Sequence, residues 1–469
     1  MNYEDSVRAL LSLGRELAAP RQLARSGAAG AHAQKFGLDN ITILAEALGN
    51  PHRAAPCVHI AGTNGKGSTA AMLEAILHAT GLRTGLYTSP HLARINERIR
   101  INGEDISDSQ FAVAWTRVQA AIEGLMASGR LSAHPTFFEC LTAMAFQIFA
   151  DEKVGLAVYE VGMGGRLDAT NIVVPEVAVI TPIAFDHENF LGHSIEEIAG
   201  EKAGIIKPGA WVVSSAGDPK AREIIARRCA EQNSRLVEVD SAWRLEYTRV
   251  DGGFYSANAL SENSGKELTL SPSLPGRFQI RNALAAATAA RLLAERGFPV
   301  TDEVICRGIA TTHWLGRLEK ILDRPAVYLD GTHNPAGARE LLNFWEENFA
   351  NRRIFLVYGS VRDKAVDEIA GLLFPRAEVV VLTEPLQPRA ISVSLLAEIT
   401  SHLAKQYSVA RDPSEALQHA IELAQSQDAV FATGSLYLVG DLRGEISRLR
   451  RKFDSSDPVS ASISSSQTS

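Results

Sequence analysis

Cysteine is scarce in this sequence and is not arranged for cross-linking. The 469 residues include four cysteines, Cys57, Cys140, Cys229 and Cys306, which lie far apart and form no C-x-x-C pair. A disulfide framework or a zinc knuckle needs closely spaced cysteines, so neither is expected. The four residues are interpreted as reduced thiols of a cytoplasmic protein.

A basic excess and a long apolar run are also missing. The formal net charge is −7, and polynucleotide-binding proteins usually carry a basic stripe, so no nucleic-acid partner is expected. No stretch of 18 or more apolar residues occurs, and the first residues lack the basic and apolar regions of a secretion signal. The sequence therefore predicts neither a membrane partner nor export.

The patterns that are present belong to a multidomain α/β protein. Hydrophobic residues make up 46% of a chain that is too long for one core and suits two or three domains. Short apolar runs alternate with helix-length segments, which predicts mostly parallel sheets covered by helices on both faces. Polar residues follow several of these runs, at the strand ends where open α/β sheets bind ligands.

The most informative segment is residues 59–69, which read His-Ile-Ala-Gly-Thr-Asn-Gly-Lys-Gly-Ser-Thr. Backbone N–H groups of such a loop, together with the following helix N-terminus, bind phosphate, and Lys66 can reach the outer phosphates of a nucleoside triphosphate. We therefore expect ATP chemistry, although a tight strand-to-helix turn without a ligand stays open. Only two residues separate Gly62 from Gly65, and Gly67 stands where a hydroxyl residue is usual. A hydroxyl ligand for magnesium is therefore expected from elsewhere.

Three polar residues are candidates for holding that magnesium. Ser89 follows a strand-like segment, Glu160 ends an apolar strand, and His187 follows Asp186 after the next strand. A hydroxyl, a carboxylate and an imidazole would leave magnesium room for water and phosphate oxygens. The structural alternatives are a cap or turn for the serine, a salt bridge for the glutamate, and a core or turn position for the histidine.

A second series of four apolar runs, in the last third of the chain, predicts a smaller doubly wound domain. We therefore expect a first domain over residues 1–310, a hinge over 311–320, a second domain over 321–454 and a disordered serine-rich tail over 455–469. Residues 237–274 are interpreted as short strands or an insertion within the first domain.

Six motifs follow one another along the chain: Gly62–Ser68, Ser89–Leu92, Glu160–Asn171, Asp186–His187, Glu201–Gly204 and Asp330–Pro335. In this order, and with Thr433–Ser435 extending the match, the sequence resembles the folylpolyglutamate synthase/dihydrofolate synthase family of the Mur ligase superfamily. The resemblance implies an N-terminal P-loop ATPase-like domain with a mostly parallel sheet and a C-terminal Rossmann-like domain, with the active site in the cleft between them. It also implies a monomer.

The same resemblance implies roles for individual residues. For ATP binding it implies Asn64, Gly65, Lys66, Gly67, Ser68, Asn282, Arg317 and Asp330. For one or two magnesium ions it implies Ser89, Glu160, His187 and Lys202, the last as a carbamate that would hold a second cation. For catalysis it implies Lys66, Lys202 and His333. For binding the pterin acid or glutamate it implies Pro135, Thr136, Phe137, Phe138, Leu167, Asp168, Ala169 and Ser435, with His333 also near glutamate.

Several of these residues have ordinary roles if the resemblance is set aside. Asn282 would be a helix cap or a surface polar residue, Arg317 a linker charge, Asp330 a helix cap, and Lys202 a solvated helix lysine. Either of the two phenylalanines that could stack on a flat pteridine could equally be core packing.

The implied reaction is ATP-dependent ligation of L-glutamate. A substrate carboxylate attacks the γ-phosphate of ATP, and the glutamate amine then attacks the resulting acyl phosphate. The expected acceptors are dihydropteroate and reduced folates, so both dihydrofolate synthase and folylpolyglutamate synthase activities are predicted. The alternatives are folylpolyglutamate synthesis alone, another Mur-type amino-acid ligase, and a P-loop nucleotide switch that makes no bond.

Overall fold

The computed structural model describes residues 1–14, 37–249, 251–362 and 364–446, and these form two units. Unit 1 comprises Met1–Ser273 and Arg277–Trp314; unit 2 comprises Leu274–Gly276 and the described residues from Leu315 onward. The predicted serine-rich tail lies outside the described residues. No helix in the described ranges is long and apolar enough to cross a membrane.

Unit 1 is built on an eight-stranded sheet with the strand order β4-β3-β2-β5-β1-β6-β7-β8. Its strands are β1 (Cys57–Ala61), β2 (Thr84–Tyr87), β3 (Ile99–Ile101), β4 (Glu104–Asp105), β5 (Leu156–Glu160), β6 (Val177–Ile180), β7 (Trp211–Ser214) and β8 (Arg235–Glu238). Six neighbouring strands are parallel to one another, namely β2, β5, β1, β6, β7 and β8, and β3 and β4 add an antiparallel edge. Every residue of β1, β5 and β6 is buried, as expected for central parallel strands. The predicted mostly parallel sheet is confirmed.

Helices cover this sheet and enclose its apolar cores. They are α1 (Tyr3–Ser12), α2 (Asp39–Ala47), α3 (Lys66–His78), α4 (Asp108–Ala127), α5 (Phe137–Asp151), α6 (Glu188–Leu191), α7 (Ile195–Ala203), α8 (Pro219–Glu231), α9 (Val239–Ala242), α10 (Phe278–Glu295) and α11 (Asp302–Ala310). One core is rich in aromatic residues such as Trp115 and Tyr159, and a second is aliphatic, with Ile198 and Ile225.

Residues 237–274 contain the predicted short strands, which form a small antiparallel sheet, although Val237 and Glu238 still belong to β8 of the main sheet. Its strands are β9 (Trp243–Arg249), β10 (Tyr255–Ser261) and β11 (Glu267–Leu270), in the order β11-β10-β9. Alternate residues of β10 are buried, which is the pattern of a strand with one face on the protein and one in solvent.

Unit 2 has a six-stranded sheet with the order β12-β13-β17-β14-β15-β16. The strands are β12 (Glu319–Asp323), β13 (Ala326–Leu329), β14 (Ile354–Tyr358), β15 (Val379–Leu382), β16 (Tyr407–Val409) and β17 (Ala429–Thr433), and the helices are α12 (Pro335–Phe349), α13 (Val366–Leu373), α14 (Val393–Thr400), α15 (Pro413–Leu423) and α16 (Leu436–Arg443). All pairs are parallel except β12 with β13. The four predicted strands are present, and β12 and β16 are additional.

Candidate active site

The glycine-rich loop joins β1 to α3 and is held by the segment that follows β6. The amides of Thr63 and Asn64 donate to the carbonyl oxygen of Pro182 at 2.9 and 3.2 Å. The Thr63 hydroxyl donates to the carbonyl oxygen of Ala184 at 3.0 Å and lies 3.1 Å from its amide. These bonds fix the loop to the segment that leads to His187.

Two glycines of the loop lie where a side chain would collide with its neighbours. A Cβ on Gly62 would be 1.8 Å from Oγ1 of Thr181, and a Cβ on Gly65 would be 2.3 Å from Oδ1 of Asn282. Asn282 is a buried residue of α10, rather than a cap or a surface residue, and its amide donates to Gln279 at 2.9 Å. The close packing keeps the loop backbone, with its amides, in one conformation.

Gly67 departs from the usual P-loop pattern, and the structure gives a steric reason. A Cβ at this position would lie 3.0 Å from Nε1 of Trp314, which is tighter than an ordinary contact. The guanidinium of Arg100 lies 4.9 Å from the centroid of the same indole ring. The indole therefore occupies the space that a hydroxyl side chain would need.

Replacing Gly65 by alanine is expected to weaken ATP binding at least tenfold. The residue has φ of +85° and no space for a methyl group, whereas Gly81 has φ of +88° and nothing within 4 Å of its Cβ position. Gly81→Ala is therefore the matched control, because it shares the backbone strain of about 1 kcal/mol without the clash. Nucleotide titration of both variants separates the two effects. Equal affinities in the two variants would contradict the steric argument.

Two lysine side chains meet at the carbonyl oxygen of Gly62. Nζ of Lys66 donates to it at 3.1 Å and to the carbonyl oxygen of Thr63 at 3.0 Å. Nζ of Lys202, in α7, donates to the same Gly62 oxygen at 2.8 Å. Lys202 is 4% exposed, so it is not the solvated helix lysine that would be expected without the family resemblance. Two ammonium donors at one carbonyl oxygen of the loop are suited to binding an anion there.

Ser89 and Glu160 lie side by side after the neighbouring strands β2 and β5. Glu160 is 4% exposed, and its Oε2 accepts a hydrogen bond from the Ser89 amide at 3.2 Å. A buried carboxylate is costly unless donors or a cation compensate it. The pair is therefore suited to a cation at the carboxyl ends of the parallel strands.

His187 follows β6 and precedes α6 in a left-handed backbone conformation, with φ of +52°. Its amide donates to Oδ1 of Asp186 at 2.9 Å, and its Nε2 lies 3.9 Å from Oδ2 of the same residue. The strands β2, β5, β1 and β6 are parallel neighbours, so the segments after them meet at one edge of the sheet. These segments carry Ser89, Glu160, Lys66 and His187. The hydroxyl, carboxylate and imidazole among these side chains fit a magnesium ion that keeps several waters.

No group of three or more His, Cys, Asp or Glu side chains is arranged as a metal site in the part of the chain that the structure describes. A site formed by Ser89, Glu160 and His187 would be of a different kind, because it combines two such residues with a hydroxyl.

The two phenylalanines at the start of α5 have different surroundings. Phe137 is 4% exposed and packs in the aromatic core, with the Arg98 guanidinium 5.5 Å from its ring centroid. Phe138 is half-buried and lies over the loop after β5, because a Cβ on Gly162 would be 2.5 Å from its Cζ. The preceding Thr136 caps α5 by accepting from the Glu139 amide at 3.2 Å, and Pro135 is buried.

Asp168 closes the loop that follows β5. Its Oδ1 accepts from the amide and the hydroxyl of Thr170 at 3.0 and 2.5 Å, and its Oδ2 accepts from the Met163 amide at 3.0 Å. Burial raises the pKa of Asp168, and these hydrogen bonds oppose the increase. The neighbouring Leu167 is half-buried and Ala169 is buried.

Arg317 and Asp330 belong to unit 2, where they lie close together. Asp330 is buried, and its carboxylate accepts from the amides of Leu318 and Thr332 at 2.9 and 3.0 Å. The Arg317 guanidinium lies against Gly331, whose Cβ position is 2.5 Å from Nη1.

His333 and Ser435 also belong to unit 2, on loops after the neighbouring strands β13 and β17. Nδ1 of His333 is 2.7 Å from the carbonyl oxygen of Gly331. Ser435 is 1% exposed, and its Oγ accepts from the Tyr437 amide at 3.1 Å, so it caps α16. The other candidate residues named from the sequence lie in unit 1.

Several residues that build this site were not identified as site residues from the sequence. Thr181 and Pro182 hold the glycine-rich loop, and Trp314 packs on Gly67, but none of them belongs to the loop motif. The position of Thr181 directly after β6 was the one available indication, since strand ends form sites in such sheets.

Two family descriptions match the sequence: Mur ligase middle domain over residues 60–290, and Mur ligase, glutamate ligase domain over residues 316–436. The dihydrofolate synthase/folylpolyglutamate synthase of Bacillus subtilis (strain 168) is 35% identical over 413 residues, which cover 87% of this chain and 94% of the relative. The folylpolyglutamate synthase of Lacticaseibacillus casei is 36% identical over 405 residues, or 86% of this chain and 92% of the relative.

Solved structures are similar over most of the chain as well. Mycobacterium tuberculosis folylpolyglutamate synthase complexed with ADP and AMPPCP has a TM-score of 0.81 and 34% identity, covering 88% of this chain and 96% of that one. E. coli FolC in complex with DHPP and ADP has a TM-score of 0.81 and 28% identity, covering 96% and 99%. These likenesses confirm the resemblance carried by the six motifs. The chain belongs to the folylpolyglutamate synthase/dihydrofolate synthase family of Mur ligases and is an ATP-dependent ligase.

Proposed function

We propose that the protein joins L-glutamate to a pterin-bearing carboxylic acid and accepts both dihydropteroate and reduced folates. The observation that carries the proposal is the carboxyl edge of the unit 1 sheet, where the glycine-rich loop with Lys66 follows β1, and the Gly162–Asp168 loop, packed against Phe138, follows the neighbouring strand β5. Relatives named for both activities and the FolC structure bound to DHPP and ADP support this choice of substrates.

In the first step the acceptor carboxylate attacks the γ-phosphorus of ATP, forming an acyl phosphate and ADP. In the second step the amine of L-glutamate attacks the acyl carbon, an amide bond forms, and phosphate leaves. The loop amides and Lys66 bind the phosphates and neutralise the charge of the transferring group. No side chain has to act as a covalent nucleophile. A magnesium ion held by Ser89, Glu160 and His187 would supply further positive charge to the phosphate oxygens.

Recognition of the acceptor is assigned to the loop after β5 and the start of α5. Phe138 is the better candidate for stacking on a pteridine, because Phe137 is enclosed in the core and its ring already packs against Arg98. Asn282, Arg317 and Asp330 are assigned to ATP. His333 and Ser435 are assigned to glutamate, since both lie at the carboxyl ends of parallel strands, where such sheets bind ligands.

Lys202 is proposed to act as a carbamate. A carbamate nitrogen keeps one N–H, so the hydrogen bond to Gly62 at 2.8 Å is compatible with the modification. Lys202→Ala is expected to lose activity, and added short carboxylates are expected to restore part of it by supplying the missing anion. Turnover of the variant is measured with and without acetate or formate. Full activity without them would contradict a catalytic role, and no recovery with them would leave Lys202 as an ammonium group that holds Gly62.

The function is tested by measuring ADP release with MgATP and L-glutamate, supplying dihydropteroate or tetrahydrofolate separately, and by mass spectrometry of the products. Turnover with both acceptors, each product heavier by one glutamyl residue, is the expected result. Turnover with tetrahydrofolate alone would reduce the protein to a folylpolyglutamate synthase. Turnover with neither acceptor would contradict the proposal.

A further inference from the structure

We propose that His59 is a positioning residue for the acceptor acid, which acts through Thr170 to hold the carboxylate of Asp168 in one orientation. The proposal rests on the proposed function, in which the loop containing Asp168 recognises the acceptor. His59 belongs to the strand that leads into the glycine-rich loop, three residues before Gly62, so it links the strand of the ATP loop to the acceptor loop.

The three side chains form a buried chain of hydrogen bonds. His59 is 0% exposed, and its Nε2 lies 2.7 Å from Oγ1 of Thr170. The Thr170 hydroxyl donates its single hydrogen to Oδ1 of Asp168 at 2.5 Å. Its oxygen must therefore accept from His59, which fixes the histidine tautomer with the proton on Nε2.

The histidine acts as a neutral donor. Burial lowers the pKa of His59 to about 3, and the positive charge of Lys207 contributes to the decrease. The ammonium group of Lys207 donates to the carbonyl oxygen of Asn171 at 2.8 Å. Nδ1 of His59 is buried and has no hydrogen-bond partner among the described residues. An aliphatic residue would avoid this cost at the centre of a sheet, so packing alone does not explain a histidine here.

The loop that Asp168 closes has little freedom to adjust to a change in that carboxylate. The Arg166 amide donates to the carbonyl oxygen of Glu201 at 2.8 Å, and a Cβ on Gly165 would lie 2.7 Å from the same oxygen. The loop thus packs backbone to backbone on the end of α7. The glycine-rich loop has its own anchors at Pro182 and Ala184. Loss of the His59 donor is therefore expected to change the orientation of the Asp168 carboxylate and to leave the ATP loop in place.

The test compares Michaelis constants for dihydropteroate and for ATP in four single variants and one double variant. His59→Leu and Thr170→Val remove the chain, whereas His59→Gln can present an amide N–H near the position of Nε2. Thr288→Val is the matched control, because the buried Thr288 hydroxyl accepts a ring N–H from Trp243 at 2.9 Å and lies outside the residues assigned to substrates.

His59→Leu and Thr170→Val are expected to raise the KM for dihydropteroate about tenfold, which is the effect of about one buried hydrogen bond. The KM for ATP should stay within about twofold, and His59→Gln should recover most of the loss. The double variant His59→Leu/Thr170→Val should be no worse than either single one, because both break the same chain. Thr288→Val should leave both constants unchanged.

A parallel rise of both Michaelis constants, or the same effect in Thr288→Val, would assign His59 to general stability and overturn the proposal. Unchanged constants in His59→Leu would overturn it as well. Equilibrium binding of dihydropteroate gives a second measurement that does not need turnover, and thermal melting shows whether each variant is folded. If the wild-type protein neither binds nor uses dihydropteroate, the proposed function itself has failed. If it does and the variants match it, only the positioning role has failed.

Discussion

Replacing Lys66 by alanine is expected to lower kcat about 10³-fold while leaving the fold intact. In this structure the ammonium group reaches back to the carbonyl oxygens of Gly62 and Thr63 at 3.1 and 3.0 Å. With ATP bound we expect it to exchange these oxygens for phosphate oxygens, whose charge increases as the γ-phosphoryl group transfers. Removal of one preorganised charge at such a centre typically costs 10²–10³-fold or more in rate.

The measurement is ADP release at saturating ATP, acceptor and glutamate. Lys66→Arg should restore little, because the guanidinium is larger and planar and cannot occupy the same place as a compact ammonium group. Lys220→Ala is the control, since this lysine is mostly exposed and pairs with Glu196 on the surface, where such pairs contribute little. Near-normal turnover of Lys66→Ala would remove the residue from the ATP site.

Replacing Glu160 by alanine or by glutamine is expected to abolish turnover and, where residual activity persists, to raise the magnesium concentration needed for half-maximal rate. The carboxylate is 4% exposed and accepts from the Ser89 amide at 3.2 Å. Glutamine preserves the size and one acceptor oxygen but removes the negative charge. The effect of Glu160→Gln therefore reports on charge rather than on packing, and the magnesium titration separates a lost ligand from a distorted loop.

Glu74→Gln is the matched control for this experiment. Glu74 is also a buried carboxylate, and it is hydrogen-bonded to Thr84, away from the carboxyl ends of the strands. Burial raises its pKa, so its neutral replacement should be well tolerated. An unchanged magnesium requirement in Glu160→Gln, or an equal change in Glu74→Gln, would exclude Glu160 as a ligand.

Several strands of both large sheets could be located from the sequence because their signal is local. An apolar run of four or five residues with a polar residue after it requires no knowledge of the rest of the chain, and β1, β5, β6 and the four predicted strands of unit 2 are of this kind. Strands β3, β4, β7 and β8 of unit 1 and strands β12 and β16 of unit 2 were not predicted. Tyr407 and Val409 of β16 are half exposed, as expected for a short edge strand that has no continuous apolar pattern.

The buried polar contacts of the site could not be predicted from local sequence patterns. Lys202 has the sequence environment of a solvated helix lysine, yet it is buried and donates to an oxygen 140 positions earlier in the chain. His59 stands in an apolar strand and could be interpreted only as core, although it contacts a hydroxyl 111 positions later. Neither partner is indicated by spacing or periodicity, because each contact joins segments that meet only when the sheet has formed.

The sequence by itself determined the α/β class, the glycine-rich loop, and the residues at the strand ends, since backbone conformation follows from short-range patterns of apolar residues and glycine. The tertiary structure alone decided which of these residues meet. It brought Lys66 and Lys202 to one carbonyl oxygen and placed Trp314 over Gly67. It also buried Phe137 but left Phe138 half-buried, and it linked His59 to Asp168 through Thr170. The physical reason is that the strand order in the sheet, not the order in the chain, sets which loops are neighbours.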